Sequence, residues 1–95
     1  MTAYVIYIRE QTYDQKELDI YVSSVGPVLE KVPMRFLAAN GRLEVLEGPT
    51  PEAVAIAEFP TIDAALAWYR SPDYQAVAQH RSKGASYRGF VVEGL

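Results

Sequence analysis

The sequence predicts an α+β fold of the ferredoxin-like type, in which an antiparallel sheet carries helices on one face. The elements are expected in the order β-α-β-β-α-β, with the second helix divided in two. Three observations lead to this prediction: strand-like runs near both ends of the chain, one long helical stripe after the first run, and two adjacent helix starts before the last. The 95 residues are predicted to form a single domain, residues 1–95.

The first strand and the first helix have clear signals. Ala3–Arg9 is rich in Val, Ile and Tyr, which favours a strand, and Thr12 or Asp14 can cap a helix after it. Apolar residues then recur at steps of three and four, at Leu18, Val22, Val25, Leu29 and Val32. Pro27 removes one backbone hydrogen bond from this stripe, so a kink or a break is expected near the middle of the helix.

The middle of the chain is predicted to contain a hairpin. Met34–Asn40 has the composition of a strand, and Asn40-Gly41 is a strong signal for a two-residue turn leading into Leu43–Leu46. A bend rich in Gly and Pro follows. The same strand direction is expected to resume at Ala53–Phe59.

Two short helices and a last strand complete the prediction. Thr61 is a good N-cap for a helix at Ile62–Arg70. Ser71 can cap a second helix that begins at Pro72 and ends at about Lys83, because proline suits the first helical position. Tyr87–Glu93 is expected to be the final strand. Trp68, Tyr69 and Tyr74 cluster at the corner between the helices, where their rings are expected to pack together.

The strands are apolar on both faces. In the first strand Tyr4, Ile6 and Ile8 alternate with Ala3, Val5 and Tyr7, and the later strands repeat this pattern. A sheet with helices on one face and water on the other would alternate apolar and polar residues. A second copy of the chain is therefore expected to cover the free face.

Motifs along nearly the whole chain carry a family resemblance. They include Ala3-Tyr4-Val5-Ile6, Arg35-Phe36-Leu37, Glu58-Phe59-Pro60, Ala64-Ala65-Leu66-Ala67-Trp68-Tyr69, Ser71-Pro72-Asp73-Tyr74-Gln75 and Val91-Val92-Glu93-Gly94. With these motifs the chain resembles the family labelled domain of unknown function 1330, of the dimeric α+β barrel superfamily. The resemblance implies a homodimer whose two sheets pack face to face.

Composition argues against several classes of function. A net charge of −3, with nine scattered Lys and Arg residues, gives no basic stripe for nucleic acid. No apolar run approaches the length of a membrane span, so no membrane partner is expected and a cytoplasmic protein is the default. The chain contains no Cys and one His, and it has no phosphate-binding loop or metal-ligand pattern. We expect no metal and no cofactor.

His80 and Arg81 are the candidate catalytic pair. Arg81 shares a helical face with apolar neighbours, so its guanidinium needs a partner. That partner is either a carboxylate of the fold, such as Glu58 or Glu47, or an anionic or carbonyl-bearing small molecule. His80 is able to carry a proton near neutral pH, although a lone His near a helix end is more often a capping or surface residue.

Two classes of function remain open. The first, by analogy with superfamily relatives, is a cofactor-free enzyme of the isomerase or monooxygenase type. It would act on a small aromatic or carbonyl-bearing molecule between the helices and the sheet. Its candidate substrate-binding residues are Tyr21, Trp68, Tyr69 and Arg81. The alternative is a non-catalytic module for small-molecule binding or stress response. Fold analogy alone does not choose between them.

Overall fold

The protein is described at residues 1–95 by a computed structural model, in which three helices cover one face of a four-stranded antiparallel sheet. The elements are β1 (Ala3–Thr12), α1 (Gln15–Leu29), β2 (Arg35–Ala39), β3 (Ala53–Phe59), α2 (Ile62–Arg70), α3 (Pro72–Gly84) and β4 (Ala85–Glu93). The predicted ferredoxin-like fold, with its divided second helix, is confirmed. None of the three helices is both long enough and apolar enough to cross a membrane.

Strand β1 lies inside the sheet, between β3 and β4. The spatial order is β2-β3-β1-β4, and all three pairings are antiparallel. Val5 of β1 stands opposite Ala57 of β3 on one side and Val91 of β4 on the other. Strands β2 and β4 are the two edges of the sheet.

The register assigns each strand residue to one of two faces, because directly paired residues share a face. The helix-covered face carries Val5, Ala57 and Phe59, which belong to the buried core together with Trp68 and Tyr74. The opposite face, here called the outer face, carries Tyr4, Ile6, Ile8, Val54, Ile56, Phe90 and Val92. No helix covers it: the side chains of Phe90 and Val92 remain 42% and 50% exposed.

Helix α1 begins as the sequence predicts but is not broken. Asp14 is the N-cap, and its carboxylate accepts a hydrogen bond from the Lys16 backbone N–H at 3.0 Å. The helix continues through Pro27 to Leu29, and the Glu30 N–H still bonds to the Gly26 carbonyl at 3.0 Å. The predicted break near the middle is wrong because the helix ends soon after Pro27. The proline therefore lies in the last turn, where few helical bonds follow it.

The predicted hairpin at Asn40-Gly41 is also wrong. Asn40 has a positive φ of 60°, but Gly41 does not, so the turn type that needs positive φ at both positions does not form. Residues 40–52 form an irregular connection instead, and β2 pairs directly with β3. Glu52 fixes the end of this connection, because its carboxylate accepts hydrogen bonds from the Thr12 N–H at 3.0 Å and from Arg9 Nε at 3.1 Å.

The corner between α2 and α3 is built around Ser71. Its hydroxyl accepts a hydrogen bond from the Tyr74 backbone N–H at 3.2 Å and donates one to the Trp68 carbonyl at 2.7 Å. This single side chain thus serves the end of one helix and the start of the next. The predicted aromatic cluster forms at this corner, with the ring centroids of Trp68 and Tyr74 4.2 Å apart.

Replacing Ser71 by Ala should lower the free energy of unfolding by about 1 kcal/mol, because the Tyr74 N–H and the Trp68 carbonyl lose their shared partner. Urea denaturation followed by tryptophan fluorescence measures this change. Ser23→Ala is the matched control, since that exposed hydroxyl bonds only to the Ile20 carbonyl in its own helix. Equal midpoints for the two variants would contradict a capping role for Ser71.

Candidate ligand-binding site

Two neighbouring cavities lie between the sheet and the helices. The larger, of about 590 Å³, reaches from α2 to β4, and the smaller, of about 330 Å³, lies between α1 and the strands β2, β3 and β1. Five residues line both cavities: Val5, Tyr7, Trp68, Arg81 and Tyr87. These five side chains therefore form a shared wall, and both volumes fall in the usual range for small-molecule sites.

Arg81 is the charged residue of this wall. It is only 8% exposed, and its guanidinium carbon lies 4.5 Å from the ring centroid of Tyr7 and 4.8 Å from that of Tyr87. The two rings stabilise the cation through their negative π faces. Arg81 has no carboxylate partner: Glu58 pairs with Arg35 at 3.3 Å, and no ion pair to Arg81 forms anywhere in the fold. The ion pair between Arg81 and a carboxylate of the fold, one of the two alternatives that the sequence left open, is thus absent.

Two buried N–H donors of the wall have no hydrogen-bond partner. They are Nε of Arg81 and Nε1 of Trp68. A buried donor without a partner costs about 1–3 kcal/mol, and more when it belongs to a charged group. Both residues line both cavities, so these two enclosed donors belong to the wall that a bound oxygen acceptor would contact.

Three tyrosine hydroxyls form a hydrogen-bonded chain beside Arg81. The Tyr74 hydroxyl lies 2.9 Å from that of Tyr7 and 3.0 Å from that of Tyr21. We call these three groups the hydroxyl chain. Burial, and then the contact with Tyr74, raises the pKa of Tyr7 and of Tyr21 well above the usual value of 10.0. Both tyrosines are therefore protonated donors at neutral pH.

The electrostatics of the site favour acceptor ligands. Burial lowers the pKa of the Arg81 guanidinium and the neighbouring Tyr7 and Tyr74 raise it, with a net rise above its usual value. The side chain is positively charged at neutral pH, as arginines in proteins are. Neither cavity is lined by an Asp, Glu or His side chain. The exposed Arg70 also lines the larger cavity, so the site offers donors and two cations, and no carboxylate that would repel an anion. No cluster of three or more His, Asp or Glu side chains that could hold a metal ion occurs in the fold.

The structure brings together four of the five residues that the sequence singled out. Trp68 and Arg81 line both cavities, Tyr69 lines the larger, and Tyr21 lines the smaller. His80 lines neither. Its Nδ1 lies 2.6 Å from a carboxylate oxygen of Glu17, between α3 and α1. The helical step from Arg81 to its neighbour turns the imidazole away from the wall.

Sequence reasoning did not select Tyr7, Tyr74 or Tyr87 as site residues: it assigned Tyr74 to the aromatic corner and the other two to strands. One signal pointed to Tyr7. Gly89 stands opposite it in β4, and a Cβ at Gly89 would lie 2.7 Å from the Tyr7 ring. Glycine within a strand often marks such a close approach, and here it makes the space that the Tyr7 ring occupies beside Arg81.

Comparison with protein families assigns the chain. The family model described as domain of unknown function (DUF1330) matches residues 2–95. The chain belongs to this family. The resemblance inferred from the sequence motifs is therefore confirmed. No curated protein matches the chain.

Solved structures of similar fold come from several bacteria. RPA0582 of Rhodopseudomonas palustris, a protein of unknown function, is 23% identical, with a TM-score of 0.74 over 99% of this chain and 82% of that one. A dimeric ferredoxin-like protein of unknown function from Thermobifida fusca is 14% identical, with a TM-score of 0.65 over 97% and 90%. SnoaB of Streptomyces nogalater, a cofactor-independent oxygenase, is 13% identical, with a TM-score of 0.63 over 99% and 92%. At these identities the similarity establishes the fold.

The protonated tyrosines of the site predict a loss of stability at alkaline pH. Above pH 10.0 the unfolded chain releases protons that Tyr7 and Tyr21 retain in the folded state. Below pH 10.0 the contribution of the two tyrosines to stability is complete. Above that pH the free energy of unfolding should fall by up to about 1.4 kcal/mol per pH unit for each residue. Urea titrations between neutral pH and pH 11 measure the slope. The double variant Tyr7→Phe, Tyr21→Phe should lose stability less steeply with pH, and an unchanged slope would contradict the assignment.

Proposed function

We propose that the protein binds a small aromatic or carbonyl-bearing molecule, with an acceptor oxygen directed at Arg81, in the cavities between helices and sheet. One observation carries this proposal: a buried guanidinium without a carboxylate partner, whose Nε is unpaired beside an equally unpaired Trp68 N–H. A ligand oxygen would satisfy these donors and remove their cost. The aromatic rings of Tyr7, Trp68 and Tyr87 supply apolar contact for the rest of the ligand.

The binding site suits a cofactor-free enzyme of the isomerase or monooxygenase type. In both reactions negative charge develops on a substrate oxygen, and fixed donors together with a cation stabilise such charge. SnoaB, whose fold is similar, is a cofactor-independent oxygenase, which supports the monooxygenase form by analogy.

The alternative is a binding module without turnover, and the composition of the lining favours it. The cavities present no carboxylate or imidazole to remove a proton from a substrate. A substrate would have to be acidic enough to ionise on binding. Incubating the protein with bound phenols under air and measuring oxygen consumption and product formation separates the two forms.

We also propose that two copies of the chain associate through the outer face. Ile6 lies at its centre, paired with Ile56 on one side and Phe90 on the other, and no element of the chain covers these side chains. A monomer that exposed such a surface would be prone to association. The dimeric state of the similar Thermobifida fusca protein supports the same arrangement.

Arg81→Lys should abolish ligand binding while leaving the protein folded, because lysine keeps the charge but has no planar fork of N–H donors to hold an acceptor oxygen. Thermal shift with benzoate and with 4-nitrophenol measures binding. The matched control is Arg42→Lys, in the irregular 40–52 connection. A wild-type protein that responds to neither probe would overturn the proposed function, as would an Arg81→Lys variant that keeps the full shift.

Ile56→Asp should separate the copies, since a charge on the outer face would be buried without a partner. Light scattering coupled to gel filtration should give twice the chain mass for the wild type and one chain mass for the variant. Leu46→Asp is the control, because that side chain is 92% exposed. A wild-type monomer at micromolar concentration would contradict the proposed interface. Val5→Asp is unsuitable as a test, because Val5 lies on the helix-covered face.

A further inference from the structure

The hydroxyl chain has one more donor than its own hydrogen bonds use. Three hydroxyls carry three protons, and the two contacts of Tyr74 with Tyr7 and Tyr21 consume two of them. Tyr74 is fully buried and lines neither cavity. If it accepted both hydrogen bonds, its own proton would be left without a partner at a considerable cost.

The favourable arrangement is therefore directional. Tyr74 accepts from one end of the chain and donates to the other, and the spare proton then belongs to Tyr7 or to Tyr21. Both of these residues line the smaller cavity, as does Arg81. The smaller cavity thus combines a guanidinium with a hydroxyl donor that is reinforced by two further hydroxyls in series.

We infer that the hydroxyl chain and Arg81 together form an oxyanion-binding network in the smaller cavity, and that its ligand is a weak oxygen acid, a phenol or an enol, bound in the ionised form. This inference rests on the proposed function that the cavities bind a small molecule. It adds the chemical class of the ligand and the residues that select it.

The hydroxyl chain adds to Arg81 a donor that a single charged oxygen can use. The guanidinium is a cation with several N–H donors, and a hydroxyl beside it offers a further hydrogen bond to an oxygen atom that carries a full charge. Hydrogen bonds in series polarise one another, so the chain donates more strongly to an ionised oxygen than an isolated hydroxyl would.

The shape of the cavity fits the same class of ligand. Its volume is about 330 Å³, and most of its lining is apolar, including Val25, Met34 and Phe36. An engineered cavity of about 150 Å³ suffices for benzene, so the smaller cavity has room for one or two fused rings. The apolar walls hold the ring system, and the polar groups meet only its oxygen.

Ionisation of a bound phenol is directly visible in its absorbance. We suggest titrating the protein into 4-nitrophenol, in a buffer below the phenol's own pKa, and recording the phenolate band. The wild-type protein should bind the phenol as phenolate, with release of the phenol's proton to the buffer. Replacing by Phe whichever of Tyr7 and Tyr21 donates to the ligand should weaken phenolate binding about tenfold, since a hydrogen bond to a charged oxygen is lost. Replacing the other should weaken it less, because only a reinforcing hydroxyl is removed. The effect of either replacement on benzoate binding should be much smaller.

Tyr13→Phe is the matched control, because it removes a hydroxyl from a side chain that is 64% exposed. It should leave phenolate binding unchanged. Urea midpoints of all three variants establish that each is folded. Tyr7→Phe and Tyr21→Phe test the hydroxyl chain from its two ends.

The outcomes separate the two proposals. Failure of both 4-nitrophenol and benzoate to bind the wild type overturns the proposed function. Binding of 4-nitrophenol in its neutral form, or unchanged phenolate affinity in Tyr7→Phe and Tyr21→Phe, overturns the oxyanion network. If benzoate still binds in an Arg81-dependent manner in that second case, the proposed function stands.

Discussion

The rest of the structure depends on one arrangement, the burial of the Arg81 guanidinium against the rings of Tyr7 and Tyr87 without a carboxylate partner. Burying a cation is unfavourable, and contact with two aromatic faces offsets only part of the lost hydration free energy. This unfavourable burial occurs at the wall shared by the two cavities. A cation buried there is suited to the proposed ligand recognition, because an acceptor that bound it would offset part of the cost of burial.

Three elements must be correctly placed for this arrangement to exist. Strand β1 supplies Tyr7, β4 supplies Tyr87, and α3 supplies Arg81, so the sheet register and the docking of one helix together determine the site. The α2–α3 corner at Ser71 sets where α3 begins, and Gly89 leaves room for the Tyr7 ring. A substitution at Ser71 or Gly89 would therefore affect the guanidinium or the Tyr7 ring by altering their packing.

The same register also links the site to assembly. Residues of β1 alternate between the cavity face, with Val5 and Tyr7, and the outer face, with Ile6 and Ile8. A shift of one residue would exchange the two sets, so the cavity and the proposed dimer surface are specified together. A partner on the outer face would cover the side of the sheet opposite the site.

The sequence by itself determined the element order, the caps at Asp14, Thr61 and Ser71, and the aromatic corner, because these depend on local propensity and periodicity. It also indicated that Arg81 is withdrawn from water. Only the tertiary structure decided that Asn40-Gly41 makes no hairpin, that His80 pairs with Glu17 away from the cavities, and that no carboxylate meets Arg81. The hydroxyl chain joins Tyr7, Tyr21 and Tyr74 from three separate elements. Contacts between residues distant in the chain depend on strand register and helix docking, which no local pattern encodes.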